Sequence, residues 1–150
     1  MAAQTESTHP RCYSALLWLL TGLFVTRVAG QAIQRWLPQS FLPPFHAFQG
    51  SSLPYWGLLV AQLLILGAMM RTAWCIQAGK LTPSRRAGTV LSWIGGVYMA
   101  GSLGRIVVGL AVPGAPAWFS TWIPAVFQVV LAGFVLTLAL YHRRLAWETQ

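Results

Sequence analysis

The chain has 150 residues, 56% of them hydrophobic and only 8% charged, whereas a soluble domain carries about 25% charged residues. That leaves too little polar surface to cover a water-soluble globule of this size, and the length fits one domain. The formal net charge of +8 does not point to nucleic acid, because the cations sit mainly at the ends of apolar runs rather than on a solvated, polar face.

Residues 1–11 are polar and read as a disordered tail. A first apolar run gives a predicted helix over 13–36, with Arg27 towards its far end. Residues 37–52 hold Pro38, Pro43 and Pro44, so no continuous helix crosses them. A second helix is predicted over 54–78, and residues 79–88, with Lys80, Pro83, Arg85 and Arg86, form a solvated loop. A third helix is predicted over 89–112, a tight turn at Pro113-Gly114-Ala115-Pro116, and a fourth helix over 118–142, followed by Arg143, Arg144 and a short tail over 145–150. Each run approaches the roughly 20 residues that cross a bilayer. The runs lack the alternation of a membrane barrel strand, and only a helix satisfies its backbone within one segment. The expected fold is all-α: a polytopic membrane protein, an antiparallel four-transmembrane-helix bundle over 12–144, with the lipid bilayer as its first partner.

The cations orient it. The 79–88 loop carries three, Arg71 precedes it, Arg11 lies in the first tail and Arg143 and Arg144 in the last. The segment after Arg35 and the turn between the third and fourth helices carry none. The positive-inside rule puts both termini and the middle loop in the cytoplasm of a cell inner (plasma) membrane. Arg11, the apolar run after it and Val28-Ala29-Gly30 also fit a signal peptide; an internal repeat argues against that reading. Trp56, Gln62 and Gly67 have the spacing of Trp122, Gln128 and Gly133, and Trp18 precedes Arg27 in the first copy as Trp93 precedes Arg105 in the second. Two helical hairpins in the same orientation are the parallel-repeat pattern of many membrane proteins. Chance in a chain rich in Trp and Gly is the competing explanation. Cys12 and Cys75 fall at cytoplasmic helix ends, where thiols stay reduced, and no disulfide is expected.

Arg27 and Arg105 are the sharpest signals. A charged side chain within an apolar helix costs roughly 2.5–3.5 kcal/mol on insertion scales and needs a partner. The only acids, Glu6 and Glu148, lie outside every apolar run. Gln62 matches Arg27 in depth on the neighbouring helix, and Gln128 matches Arg105, so each guanidinium is expected to donate to a Gln carbonyl. Such pairs leave the charge uncompensated, and a bound anion would complete them. The competing reading is that each Arg snorkels along its stem to the outer interface. Gln31, Gln34 and Arg35 continue a polar stripe beyond Arg27. The candidate ligand- or partner-binding set is therefore Arg27, Gln31, Gln62, Arg105 and Gln128.

Helix three carries Gly96, Ala100 and Gly104, a small-residue stripe for close helix packing, either inside the bundle or between two copies. Phe45, His46 and Phe48 are expected to form a short interfacial cap over the bundle. His9, His46 and His142 lie outside the middle of every apolar run, so neither a metal site nor bis-His haem ligation is expected, and no cofactor is predicted. A proton-coupled exporter would need an intramembrane carboxylate, a thiol–quinone enzyme would need paired cysteines, and no hydrolase or phosphate-cradling motif is present. Residues 82–86, with two arginines, read as topogenic charge.

The length, the paired hairpins and an apolar run over 58–70 ending in Arg71-Thr72 resemble small bacterial four-helix inner-membrane proteins of the DoxX-like type. The resemblance implies a four-helix membrane fold. Such relatives often carry an acidic residue in helix two, where this chain has Gln62, so no redox or quinone role is carried over. The expected function is non-enzymatic: a small accessory or assembly subunit packed against another membrane protein or against a second copy. The alternative is a binding protein or transporter for a small anionic or amphipathic molecule, using the Arg/Gln residues.

Overall fold

A computed structural model describes residues 8–48, 54–114, 119 and 121–148. The elements in chain order are α1 (Thr8–Trp36), α2 (Phe45–Phe48), α3 (Tyr55–Gln77), α4 (Arg85–Ala111) and α5 (Trp122–Glu148). The protein is all-helical, and α1, α3, α4 and α5 are each long and apolar enough to cross a membrane.

The four long helices occupy the four apolar runs, and their ends extend into polar sequence. Residues 8–11 of the expected tail belong to α1; Pro10 sits in its first turn, where a missing N–H breaks no intrahelical bond. Residues 1–7 of that tail lie outside the described residues, as do Ala115, Pro116 and the expected helix start at Trp118. Helix α4 begins at Arg85 rather than 89, directly after Pro83 and the extended Ser84. Helix α5 continues beyond His142 to Glu148 and takes up much of the expected last tail. Polar side chains end an apolar run without ending a helix.

Helix α3 ends at a glycine for a geometric reason. Gly79 has φ +64, the Lys80 N–H donates to the Cys75 carbonyl at 2.8 Å, and the Gly79 N–H donates to Ile76 at 3.1 Å. This is the Schellman arrangement, which needs a left-handed residue after the helix. Inside the helices, the hydroxyls of Thr21, Thr72, Ser92, Ser102 and Thr137 each donate to the carbonyl four residues earlier. These side chains are satisfied without solvent, as an apolar medium requires.

Helix α1 packs on α3 and α5, and α5 packs on α4; no comparable interface joins α3 to α4. The core is built from Leu17, Phe24 and Val28 of α1, Met69, Ala73 and Ile76 of α3, and Phe134 and Tyr141 of α5. Helix α4 adds nothing to that cluster. It is held to α5 by close approach at Gly88, Gly95 and Ser102, spaced by sevens and buried. A Cβ at Gly95 would lie 2.9 Å from Leu136, and one at Gly88 would lie 2.6 Å from Arg143 Cγ. The internal packing considered for Gly96, Ala100 and Gly104 is thus made by a neighbouring face. Those three are exposed, with nothing within 4 Å of a Cβ at Gly96 or Gly104. Glycines stand on several faces of α4, and one residue turns the helix by about 100°.

Where α1 ends and α3 begins, Trp36, Phe45, Tyr55 and Trp56 form a ring cluster, with Trp36 5.8 Å and Phe45 5.5 Å from Tyr55. Of the expected cap residues, Phe45 joins this cluster and Phe48 is buried, its ring 3.7 Å from where a Gly30 Cβ would stand. The His46 side chain lies outside the described residues.

At the other end, the α3–α4 connection is tied to α5. Tyr141 Oη donates to the Leu81 carbonyl at 2.9 Å, and the Ser84 N–H donates to His142 Nδ1 at 3.1 Å. Trp18 Nε1 donates to Gln77 Oε1 at 2.7 Å. Tyr141→Phe removes the Oη bond and leaves the part-buried Leu81 carbonyl without it. The expected loss is about 1 kcal/mol, read as a fall in Tm of about 2–4 °C.

Candidate functional site

Arg27 lies in the last third of α1 and Arg105 in the last third of α4, while Gln62 and Gln128 lie in the first half of α3 and α5. The packing order brings these four positions to one level. Arg27, Gln62, Arg105 and Gln128 line a single cavity of about 270 Å³, completed by Phe24, Leu58, Ala61, Ile65, Tyr98, Pro124, Phe127 and Leu131. All four long helices contribute, and α3 and α4 face each other across it. None of the lining side chains is acidic.

The two arginines are held differently. Arg105 is only 4% exposed, so its side chain does not reach solvent as a snorkelling one would. Its Nη1 donates to Gln128 Oε1 at 3.2 Å, the bond expected from matched depth, and its Nη2 donates to Thr121 Oγ1 at 3.0 Å. Arg27 does not make the corresponding bond to Gln62. Its guanidinium carbon lies 5.6 Å from the Phe127 ring centroid, a cation–π distance worth about 0.5–2 kcal/mol. Its Nε is buried with no hydrogen-bond partner among the described residues.

Gln62 is engaged elsewhere. It is 3% exposed, and its Nε2 donates to Gln31 Oε1 at 3.0 Å. Gln31 is 1% exposed and stands one turn beyond Arg27, behind the cavity wall rather than on it. The amide pair satisfies half of its groups: Gln62 Oε1 and Gln31 Nε2 remain buried and unpaired. Each such group carries a desolvation penalty of roughly 1–3 kcal/mol. Turning both amides over preserves their mutual bond and presents Gln62 Nε2 to the cavity instead. Gln34 serves the chain rather than the cavity, its Oε1 accepting the Gln39 N–H at 3.0 Å.

Sequence reasoning missed Tyr98, Thr121 and Phe127. Tyr98 lies within electrostatic reach of both guanidinium groups. It precedes Arg105 by seven residues, a spacing that puts both on one helix face, so its signal was present. Thr121 and Phe127 gave none, because only the folded chain puts them against the arginines.

A second depression adjoins the first. An apolar groove of about 690 Å³ runs along α4 past Trp93, Ile94, Val97 and Gly101, and ends on Tyr98, Ser102, Arg105 and Gln128. Tyr98, Arg105 and Gln128 line both spaces. Cys12 and Cys75 are free thiols away from both. No family model, curated protein or solved structure matches the chain, so a functional reading rests on this geometry.

Proposed function

We propose that this chain is a multi-pass inner-membrane protein of four antiparallel spans, with both termini cytoplasmic, that binds or carries a small anionic or amphipathic molecule. The observation that carries the reading is the convergence of Arg27 and Arg105, with no acid, in one cavity between helices of membrane-spanning length. Charged groups in such segments normally pair or line a substrate path. Here the protein supplies hydrogen bonds for Arg105 and a ring face for Arg27, no side chain lining the cavity is acidic, and an anion would bring negative charge to it. Contacts between the end of α1 and the start of α3, and between the start of α4 and the end of α5, support antiparallel spans. The accessory-subunit reading keeps one observation of its own: the exposed Gly96, Ala100 and Gly104 face of α4, where another helix would pack closely.

The test is native mass spectrometry of the full-length protein gently extracted from its own membrane, beside the Arg27→Ala/Arg105→Ala variant. A bound anion on the wild type, lost from a variant that still inserts, is the expected result. Stoichiometric recovery of other membrane subunits by both proteins, with no small ligand, would replace this reading with the accessory subunit.

A further inference from the structure

The Arg/Gln cavity and the α4 groove adjoin, with Tyr98, Arg105 and Gln128 in the lining of both. We propose that together they form one site for a long-chain carboxylate of the fatty-acid class, its head in the cavity and its chain along α4. The inference rests on the anion-binding reading above and names the ligand class.

Three features carry it. Two residues of the cavity wall carry buried polar atoms with no partner among the described residues: Arg27 Nε and the Gln62 amide oxygen, the latter on a glutamine that is 3% exposed. The edge of a guanidinium is the geometry that a carboxylate matches with two oxygens. The amide turnover brings Gln62 Nε2 round as a further donor, so the same residues fit an acceptor-only head. The groove, by contrast, offers apolar surface around Trp93, Val97 and Gly101. From Trp93 to Arg105 it covers about 18 Å at 1.5 Å per residue, a little more than half of the roughly 30 Å hydrocarbon core. That is the reach of one acyl chain, laid along the middle of α4 (Arg85–Ala111). A two-chain lipid would leave its second chain outside the groove.

Access also fits. The groove faces the bilayer, since Trp93 is 73% exposed, and α3 and α4 share no packed interface that would bar lateral entry. An amphiphile dissolved in the leaflet would enter sideways, its head drawn in by the arginines.

The experiment uses full-length protein in zwitterionic nanodiscs, with butyrate, hexadecanoate and the neutral hexadecanol as probes, and binding read by native mass spectrometry. Hexadecanoate is expected to bind roughly tenfold or more tightly than butyrate, since chain burial adds to head-group capture. Gly101→Leu places a side chain in the groove, where a Cβ meets nothing within 4 Å. It is expected to weaken hexadecanoate by roughly tenfold and leave butyrate unchanged, with Val97→Phe as a second groove-filling variant. Equal affinity for the two carboxylates, or no effect of either variant, would overturn the long-chain site while leaving the anion site standing, whereas equal affinity for hexadecanol would overturn the carboxylate head site. Failure of the wild type to bind either carboxylate would overturn both.

Discussion

Gln62→Glu is expected to stabilise the ligand-free protein and, at the same time, to abolish its capacity for an anion. The substitution keeps the shape of the side chain and puts a carboxylate on the wall shared with Arg27 and Arg105. It acts as a tethered counter-ion. It also satisfies a second group: Gln31 Nε2, now buried and unpaired, gains an acceptor when its amide turns. Leaving a buried charge without its partner costs about 3–5 kcal/mol. Supplying the partner, less the desolvation of the new carboxylate, is expected to recover about 2 kcal/mol, or roughly 4–8 °C in Tm. Thermal unfolding with and without hexadecanoate checks this. The wild type gains stability on addition of ligand, whereas Gln62→Glu starts higher and gains nothing. Gln62→Leu supplies the contrast, because it strands Gln31 and brings no charge to the cavity, so its Tm falls. A Gln62→Glu protein that is less stable than wild type and still responds to ligand would show that Gln62 and the arginines do not share a charge site.

That prediction depends on an arrangement only partly legible in the sequence. The four long helices were legible because length and continuous hydropathy are properties of single segments. Their ends were less so: Thr8 to Arg11 and Leu145 to Glu148 are helical, yet no hydropathy signal marks them. The Arg–Gln site was legible as depth, since a residue's height along a span follows from counting at 1.5 Å per residue. Azimuth does not follow from counting. Arg105 meets Gln128 as depth predicts, but Gln62 turns to Gln31 and Arg27 to the Phe127 ring. The same limit governs the glycines of α4, where Gly95 and Gly96 are equally small and only helix packing decides which is buried.

Both arginines converge in one cavity, but the packing lacks the symmetry that two equivalent hairpins imply, since α1 packs on α5 while α3 and α4 share no comparable interface. Trp56-to-Gly67 and Trp122-to-Gly133 place their glutamines at like positions of α3 and α5, and each glutamine faces the same cavity. The two halves nonetheless diverge in bonding. Arg105 is fixed by Gln128 and Thr121, while Arg27 keeps an unpaired Nε. The half with the less satisfied arginine is the one whose glutamine amide can turn, so under the proposed anion-binding reading the response to ligand is expected in the α1–α3 half. The α4–α5 half forms the fixed wall.

The fixed wall carries the second large prediction: leucine at Gly95 and leucine at Gly96 are expected to have opposite consequences. At Gly95 even a Cβ would meet Leu136 at 2.9 Å and Val135 at 3.1 Å, so the larger side chain pushes α4 away from α5. Overpacking of this kind costs about 1–3 kcal/mol, and α4 has no other substantial interface to hold it. A loss near 3 kcal/mol lowers Tm by roughly 6–12 °C. It also separates Arg105 from Gln128 and so removes anion binding. At Gly96 a Cβ meets nothing within 4 Å, and replacing a mid-helix glycine gains about 0.5–1 kcal/mol in helix propensity. Gly96→Leu therefore keeps or raises Tm and keeps anion binding. If the exposed Gly96, Ala100 and Gly104 face joins two copies, Gly96→Leu shifts the chain to a smaller species in native mass spectrometry without loss of ligand. Equal destabilisation by both substitutions would mean that α4 is rotated from the face described, and that the groove beside Gly101 is not where a chain would lie.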